Sequence, residues 1–449
     1  MCKNVKIKRG MDIPLEGKPS THIHAISTST TFALKPTDFK GLVPKLRIKQ
    51  GEEVSVGDCL FTDKKNDKIC FTSPVSGEIA EIVRGDRRAI TAVKILADSS
   101  DYKYKEFDTK GYSSKSADDI KSILLESGLW PFITQRPYGV IADTDGSPKS
   151  IHVSGFDSSP LAADLGVSLR GHEASIELGF EILNKLCEGG VHLNLHAKKD
   201  NSIYQNIKGV KVSYFEGPHP SGLVGVQINN VDPINKGDIV WTIKPQHVAF
   251  IGKLFSTGKL DLEQNIVIAG SEVNEPAYYT TRIGASVDSL MKDNYKSDNV
   301  RVISGNVLTG KKIEKDGYLG FFDNQITVIP EGDHYEMLGW LFPSYARPTL
   351  SSTLPLSKFL KKSFCVNTNP HGEPRAYVVT GQYEKVLPMD IMPQQLIKAV
   401  MAKDLELMEN LGIYEVIEED VALCEFVCTS KINVQQVLSE GLELMAEES

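Results

Sequence analysis

Between Leu46 and Val83, glycines at 51, 57 and 77 cut the chain into runs of four to six residues rich in Val and Ile. Gly51-Glu52-Glu53-Val54-Ser55-Val56-Gly57-Asp58-Cys59-Leu60 comes first, then the charged stretch Asp63-Lys64-Lys65-Asn66-Asp67, then Ser73-Pro74-Val75-Ser76-Gly77-Glu78-Ile79. Runs of this length are too short for stable helices but suit strands joined by tight turns. Glycine supplies the positive φ that such turns demand. The first hundred residues therefore read as an all-β module.

The two signatures, G-x-x-V-x-x-G-D-x-L and S-P-x-x-G-x-I, resemble those of the barrel-sandwich hybrid of biotinyl and lipoyl carrier domains. A carrier bears its modified lysine in the hairpin between them, where Lys64 and Lys65 stand. The spacing to Ser73-Pro74 is longer than in lipoyl domains and no Met-Lys-Met is present. Charged residues in a solvated turn is the first reading, and attachment of a swinging arm the second.

Past the polar stretch 98–116, strands and helices alternate. A helix is expected from Ser116 as N-cap, with Ile120, Ile123, Leu124 and Leu129 at helical spacing. Ile151–Ser154 and Val191–Leu195 read as strands and Ala174–Cys187 as a helix closed by Gly189-Gly190. That alternation predicts a parallel α/β sheet between about 117 and 260. Residues 262–330 turn β-rich, with a short helix at Val287–Met291. Beyond an irregular stretch from 331, helices are expected at 393–410, at Glu415–Val421 and from Val434 to Met445. A chain of 449 residues carries roughly three domains at ~150 residues each. The patterning draws four modules, 1–100, 101–261, 262–330 and 331–449: a multidomain α/β and α+β fold.

The formal charge of −8, without a dense basic cluster, is a poor match for nucleic acid or anionic lipid. No stretch approaches the ~20 apolar residues of a spanning helix. The basic start Met1–Arg9 is followed by polar residues instead of an apolar signal core, so the chain is expected to stay where it is made. Seven scattered cysteines, an odd number, predict reduced thiols in a cytosolic compartment.

Chemistry-bearing motifs are sparse. Cys424-Glu425-Phe426-Val427-Cys428 has the C-x3-C spacing that ends a bacterial ferredoxin run, but the two preceding ligand positions hold Glu418 and Val421, and Thr429 replaces the following proline. Valine cannot ligate iron, so a ferredoxin-type [4Fe–4S] cluster is excluded there. A structural or vestigial role for Cys424 and Cys428 is the first reading, metal or redox chemistry of the pair the second. No G-x-G-x-x-G follows an expected strand, and no P-loop or G-x-S-x-G occurs. The loop Phe215-Glu216-Gly217-Pro218-His219-Pro220-Ser221-Gly222-Leu223 is a poor phosphate cradle, because two prolines remove N–H donors. It reads as a rigid turn, or as one that lets His219 donate to a ligand carbonyl. His192 and His196 are expected on one polar strand face, and His22 and His24 lack a nearby third ligand; neither pair reads as a metal site.

Several of these segments, together with Ile7–Gly17, Ser127-Gly128-Leu129-Trp130, Arg136-Pro137, Gly252–Gly258, Ile283–Ser286, Arg301–Gly310 and Leu423–Cys428, resemble the A subunit of the Na+-translocating NADH:quinone oxidoreductase over nearly the whole chain. That family is related to the flavin-binding subunit of complex I and the C subunit of the Rnf complex. The resemblance implies a barrel-sandwich hybrid, a Rossmann-like domain, a β-grasp ligand-binding domain and a helical C-terminal domain. It further implies a peripheral protein on the cytoplasmic face of the bacterial inner membrane, docked on the membrane-embedded B subunit of the complex. Such a protein binds quinone, has no redox cofactor of its own, and works in a complex that uses NADH through another subunit. Thr429, where relatives more often have proline, leaves the quinone assignment untouched. A quinone needs an apolar slot with one or two donors for its carbonyls. Gly217, His219, Ser221 and Gly222 are the expected contacts, with Phe156 and Phe215 against the ring. The alternatives are an autonomous flavin or iron–sulfur NADH dehydrogenase and a lipoyl- or biotin-type carrier.

Overall fold

The computed structural model describes residues 3–25, 29–99, 101–334, 347–350 and 363–448. Parts of the irregular stretch after 331, and Cys2, lie outside them. Among the described residues the chain forms four sheets.

Two of them make the N-terminal module. Thr31–Leu34, Ile90–Ala97, Gly77–Arg84 and Glu53–Val54 pair in that order, and Pro44–Leu46, Cys59–Asp63 and Cys70–Thr72 form a second sheet, all antiparallel. Leu60, Phe61, Phe71, Val75, Ile79, Val93 and Ile95 fill the space between, essentially without solvent contact. Gly77, at φ +154°, approaches the Leu96 carbonyl so closely that a Cβ would sit 2.0 Å from it. This is why the second signature needs glycine there.

The largest sheet runs in the order Lys3–Lys6, Lys211–Glu216, Val191–His196, Ser150–Ser154, Val240–Thr242, Thr134–Arg136, Val140–Ile141. Its first five strands are parallel; Thr134–Arg136 pairs antiparallel to Val240–Thr242, and Val140–Ile141 antiparallel to Thr134–Arg136. Within the α/β segment the four parallel strands lie in the spatial order third, second, first, fourth. The direction of winding therefore switches between Ser150–Ser154 and Val240–Thr242. The helix Ala117–Ser127 leads in, its Ser116 and Asp119 closing a reciprocal capping box.

The register gives this sheet two unlike faces. Ile151, Val153, Val191, Leu193, Leu195 and Trp241 point to one side and join a core with Ile176, Phe180 and Leu183 of helix Glu173–Leu186 and Val248, Ile251 and Leu254 of helix Pro245–Thr257. The two helices touch backbone to backbone. A Cβ on Gly252 would lie 1.8 Å from the Ser175 carbonyl, and one on Gly179 would lie 2.1 Å from that of Val248. The other side carries Arg136, Ser150, His152, Ser154, His192, Asn194 and Ser213, most of them buried although polar. Helix Val224–Val231 covers it, with Gln227 reaching Ser154.

The N-terminal segment crosses the expected 1–100 boundary. Lys3–Lys6 is an edge strand of the α/β sheet, and Ile23–Ala25 adds to a mixed sheet ordered Lys311–Ile313, Val300–Ser304, Gln325–Pro330, Glu263–Ala269, Ala277–Arg282, Ile23–Ala25. Helix Val287–Met291 packs within that module. In the C-terminal third the expected 393–410 helix is two, Pro393–Ala402 and Leu405–Asn410. Lys403 takes a left-handed conformation at φ +55° between them, and the Asp404 side chain caps the second. The expected helix at Glu415–Val421 is instead two single 3-10 turns, Ile413–Glu415 and Glu418–Val421, which begin after Gly412 at φ +88°. Val434–Glu447 closes the chain as an amphipathic helix.

Candidate functional site at the carboxyl ends of the parallel strands

In an open parallel sheet the crevice beyond the carboxyl ends of the strands, near the switch in winding, is where backbone groups and loops converge on a ligand. Here the loops leaving Ser154 and Glu216 meet. Phe156, Asp157 and Ser158 follow the first strand; Gly217, His219, Ser221 and Gly222 follow the third. Ser158 joins them: its Oγ accepts from the Gly222 N–H at 2.9 Å and lies 3.1 Å from His219 Nδ1. The Ser221 hydroxyl donates to the Gly217 carbonyl, and Ser154 Oγ, which donates to the Phe156 and Gly222 carbonyls, accepts from Gln227. The two loops are thus one hydrogen-bonded unit.

The N-terminal segment straps this unit in place. The Ile7 N–H donates to the Glu216 carbonyl, the Met11 N–H to the His219 carbonyl, and the His219 N–H to Asp12 Oδ1 at 2.8 Å. Gly217, at φ +149°, has room for no side chain, since a Cβ would sit 2.4 Å from the Ile7 carbonyl. Burial holds the His219 imidazole below its ordinary pKa, against the opposing pull of Asp157 and Asp12, so the ring is neutral at physiological pH. Phe156 stands edge-on to His196 at 5.1 Å, and Phe215 is fully buried.

All six expected contacts are therefore brought together, with Phe215 and Phe156 in an apolar cluster shared by Ile7, Ile13, Val226 and the C-terminal helices. Asp12 and Ser158 were missed. Asp12 sits in the Gly10-Met11-Asp12 segment, but no local pattern ties that segment to residue 219, and only the strand pairing of Lys3–Lys6 brings them together. Two clefts, one around His172, Gln246 and Gln264 and one around Lys35, Lys311 and Asp323, lie away from this loop.

The C-terminal module docks on the same side. Arg136 Nη1 donates to Asp420 at 2.5 Å and Nη2 to Glu419 at 2.9 Å, with Arg136 and Asp420 buried. A Cβ on Gly225 would fall 2.3 Å from Asp420 Oδ1, so glycine there lets the ion pair pass under helix Val224–Val231. Cys424 and Cys428 are buried, the Tyr383 hydroxyl donates to Cys428 Sγ at 3.0 Å, and burial pushes the Cys424 thiol up. The two positions that would complete an iron–sulfur run are committed elsewhere: Val421 is in the core and Glu418 pairs with Lys40. Lys64 and Lys65 are exposed in their hairpin, but that hairpin is tied to the α/β domain through Asn66–Thr144 and Lys68–Asp145. A swinging arm needs a freer mount.

A barrel-sandwich module, a parallel α/β module and a β-rich module, in this order along one chain, define the class of protein, and family models match each of the three. Residues 5–98 match the NqrA N-terminal barrel-sandwich hybrid domain, residues 115–260 the NqrA second alpha/beta domain, and residues 265–315 the NQRA C-terminal domain. Over 448 residues the chain is 36% identical to the A subunit of the Na(+)-translocating NADH-quinone reductase of Actinobacillus pleuropneumoniae serotype 5b, covering 99% of this chain and 100% of that one. It is 36% identical over 447 residues to the corresponding protein of Neisseria meningitidis serogroup B, with the same coverage, and 36% identical over 448 residues to that of Rhodopirellula baltica, covering 99% and 98%. The chain belongs to the NqrA family, the A subunits of the Na(+)-translocating NADH-quinone reductase. Among solved structures, an air-oxidized NAD+-reducing [NiFe]-hydrogenase is 11% identical over 75% of this chain and 64% of that one, with a TM-score of 0.38. No helix among the described residues is long and apolar enough to cross a membrane.

Proposed function

We propose that the chain is the peripheral NqrA component of a respiratory Na+ pump that couples NADH oxidation and quinone reduction to Na+ export. On this reading it sits on the cytoplasmic face of the bacterial inner membrane, held there by the membrane-embedded B subunit. The observation that carries the reading is identity along the whole length to proteins named as the A subunit of that reductase. The third-second-first-fourth strand order supports a Rossmann-like α/β domain, and the mixed sheet with helix Val287–Met291 supports a β-grasp domain at 262–330.

Within that reading the unit built from 156–159 and 215–223 makes the quinone contact. On this reading the His219 imidazole faces a ring carbonyl, Ser158 fixes the imidazole, and Phe156 offers an aromatic face. The chain carries no redox cofactor of its own, a reading supported by Val421 and by the Lys40–Glu418 pair at the would-be ligand positions. NADH is handled elsewhere in the complex. In the assembled complex, His219→Ala should raise the quinone KM roughly tenfold or more, a loss of ~1.4 kcal/mol or more, with the KM for NADH unchanged. An unchanged quinone KM contradicts the site. A purified chain with flavin or iron–sulfur absorbance contradicts the cofactor-free reading.

A further inference from the structure

At the opposite, amino end of the same strands, three side chains converge outside the site above. His152, His192 and Asp232 each bring a donor atom to within 4.8 Å of the other two. His152 and His192 are partners in the parallel register of neighbouring strands, their rings stacked with centroids 4.4 Å apart. Both are buried, and the Nδ1 of each has no hydrogen-bond partner. A buried imidazole nitrogen without a partner has its desolvation cost uncompensated, so such atoms in a native fold call for a specific explanation.

We propose that His152, His192 and Asp232 form a binding site for one divalent transition-metal ion, of the two-histidine, one-carboxylate kind that suits Zn2+. The donor set is right for that class: two imidazoles and one carboxylate, with a remaining position for water. Burial holds both imidazoles well below the usual histidine range, at about 3 and about 4, so both are the free base that a metal requires. The second shell is also present. Ser150 Oγ donates to Asp232 Oδ2 at 2.9 Å and lies 3.1 Å from His152 Nε2, linking two of the three ligands. Lys149 holds the other oxygen, Asp232 Oδ1, at 2.8 Å, and also contacts Asp238 and the Pro233 carbonyl. An ion arriving on the Oδ2 side therefore leaves Lys149 its partners. Asp232 follows helix Val224–Val231 and is partly exposed, which gives the ion an approach from solvent. Binding requires the rings to open from their 10° stack so that one nitrogen of each faces the ion.

The test uses the full chain, stripped with a chelator and titrated with Zn2+ alone and Co2+ alone. The expected result is one equivalent of Zn2+, with Co2+ giving the visible d–d bands of nitrogen and oxygen coordination. His192→Gln and Asp232→Asn should each weaken Zn2+ roughly tenfold or more, while His24→Ala, on strand Ile23–Ala25 of the mixed sheet, leaves it unchanged. Sub-stoichiometric uptake by the wild-type chain overturns the proposal, and so does uptake that survives both ligand variants or is lost in His24→Ala. The Co2+ spectrum of the unmodified chain decides the matter even if a variant fails to fold. Quinone kinetics do not enter, so failure here is separate from failure of the quinone site.

Discussion

The two faces of the parallel α/β sheet obey different rules. On one, Ile151, Val153, Val191 and Leu193 meet two helices in a dry core. On the other, Ser150, His152, His192 and Asn194 are buried nearly as deeply but are polar, and several of the histidine and asparagine atoms have no partner. Hydrophobic burial explains the first face without reference to function. It cannot explain the second, because buried polar groups without partners lower stability. The N-terminal strap, the C-terminal module, the candidate quinone loop and the histidine pair all gather on that second face. In this molecule the polar face is where binding is expected, and the apolar face is the scaffold.

Unfolding in urea measures what each face contributes to stability. The largest effect should come from Arg136→Ala, which leaves Asp420 buried without its countercharge; about 4 kcal/mol is expected to be lost. On the apolar face, Leu193→Ala should cost about 3 kcal/mol through transfer and cavity. Loss of less than ~1 kcal/mol in either would mean that the face in question is not packed as described.

A pH series on metal-free chain separates the faces further. The His152 pKa lies near 3 in the fold, below the ~6.5 of an unfolded histidine. Its contribution is complete above pH 6.5. As pH falls from there, the unfolded chain takes a proton that the folded chain refuses, so stability is lost progressively toward pH 3. By pH 5 that loss is about 2 kcal/mol for this residue, and His152→Gln should remove that part of the slope. A wild-type slope between pH 7 and 5 equal to that of the variant would show that His152 is not buried as a neutral ring. Smaller again, Ser154→Ala removes a hydroxyl that accepts from Gln227 and should cost about 1 kcal/mol. Smallest, His192→Leu in metal-free chain should lie within ~0.5 kcal/mol of wild type, since it discards an unpaired nitrogen for apolar contact. A large loss there would mean that His192 has a structural partner.

Much of the architecture was legible because it is local. Ser116 and Asp119 announce the helix Ala117–Ser127, and the Gly51–Gly77 spacing announces the barrel-sandwich turns. The alternation of His192 with Leu193 correctly placed His192 and His196 on one polar face. What could not be read was that this face is covered, since Arg136–Asp420 and the strap 7–16 come from residues far apart in sequence. For the same reason Lys3–Lys6 and Ile23–Ala25 were not seen as strands of distant sheets. The loop from Phe215 to Leu223 stood out through its prolines, whereas Ser158 and Asp12 acquire meaning only once the strands converge. The break at Lys403 was hidden because lysine is a good helix former, and its left-handed turn is set by the Asp404 cap and by packing.

On the proposed function, the carboxyl end of the polar face carries the quinone contact. The most direct measurement is photolabelling of the assembled complex with a short-chain quinone bearing a photoreactive group, followed by peptide mapping. Label is expected in peptides containing 156–159 or 215–223, competed away by unlabelled quinone and reduced in His219→Ala. Competable label confined to the other subunits, with none in those two peptides, would contradict it.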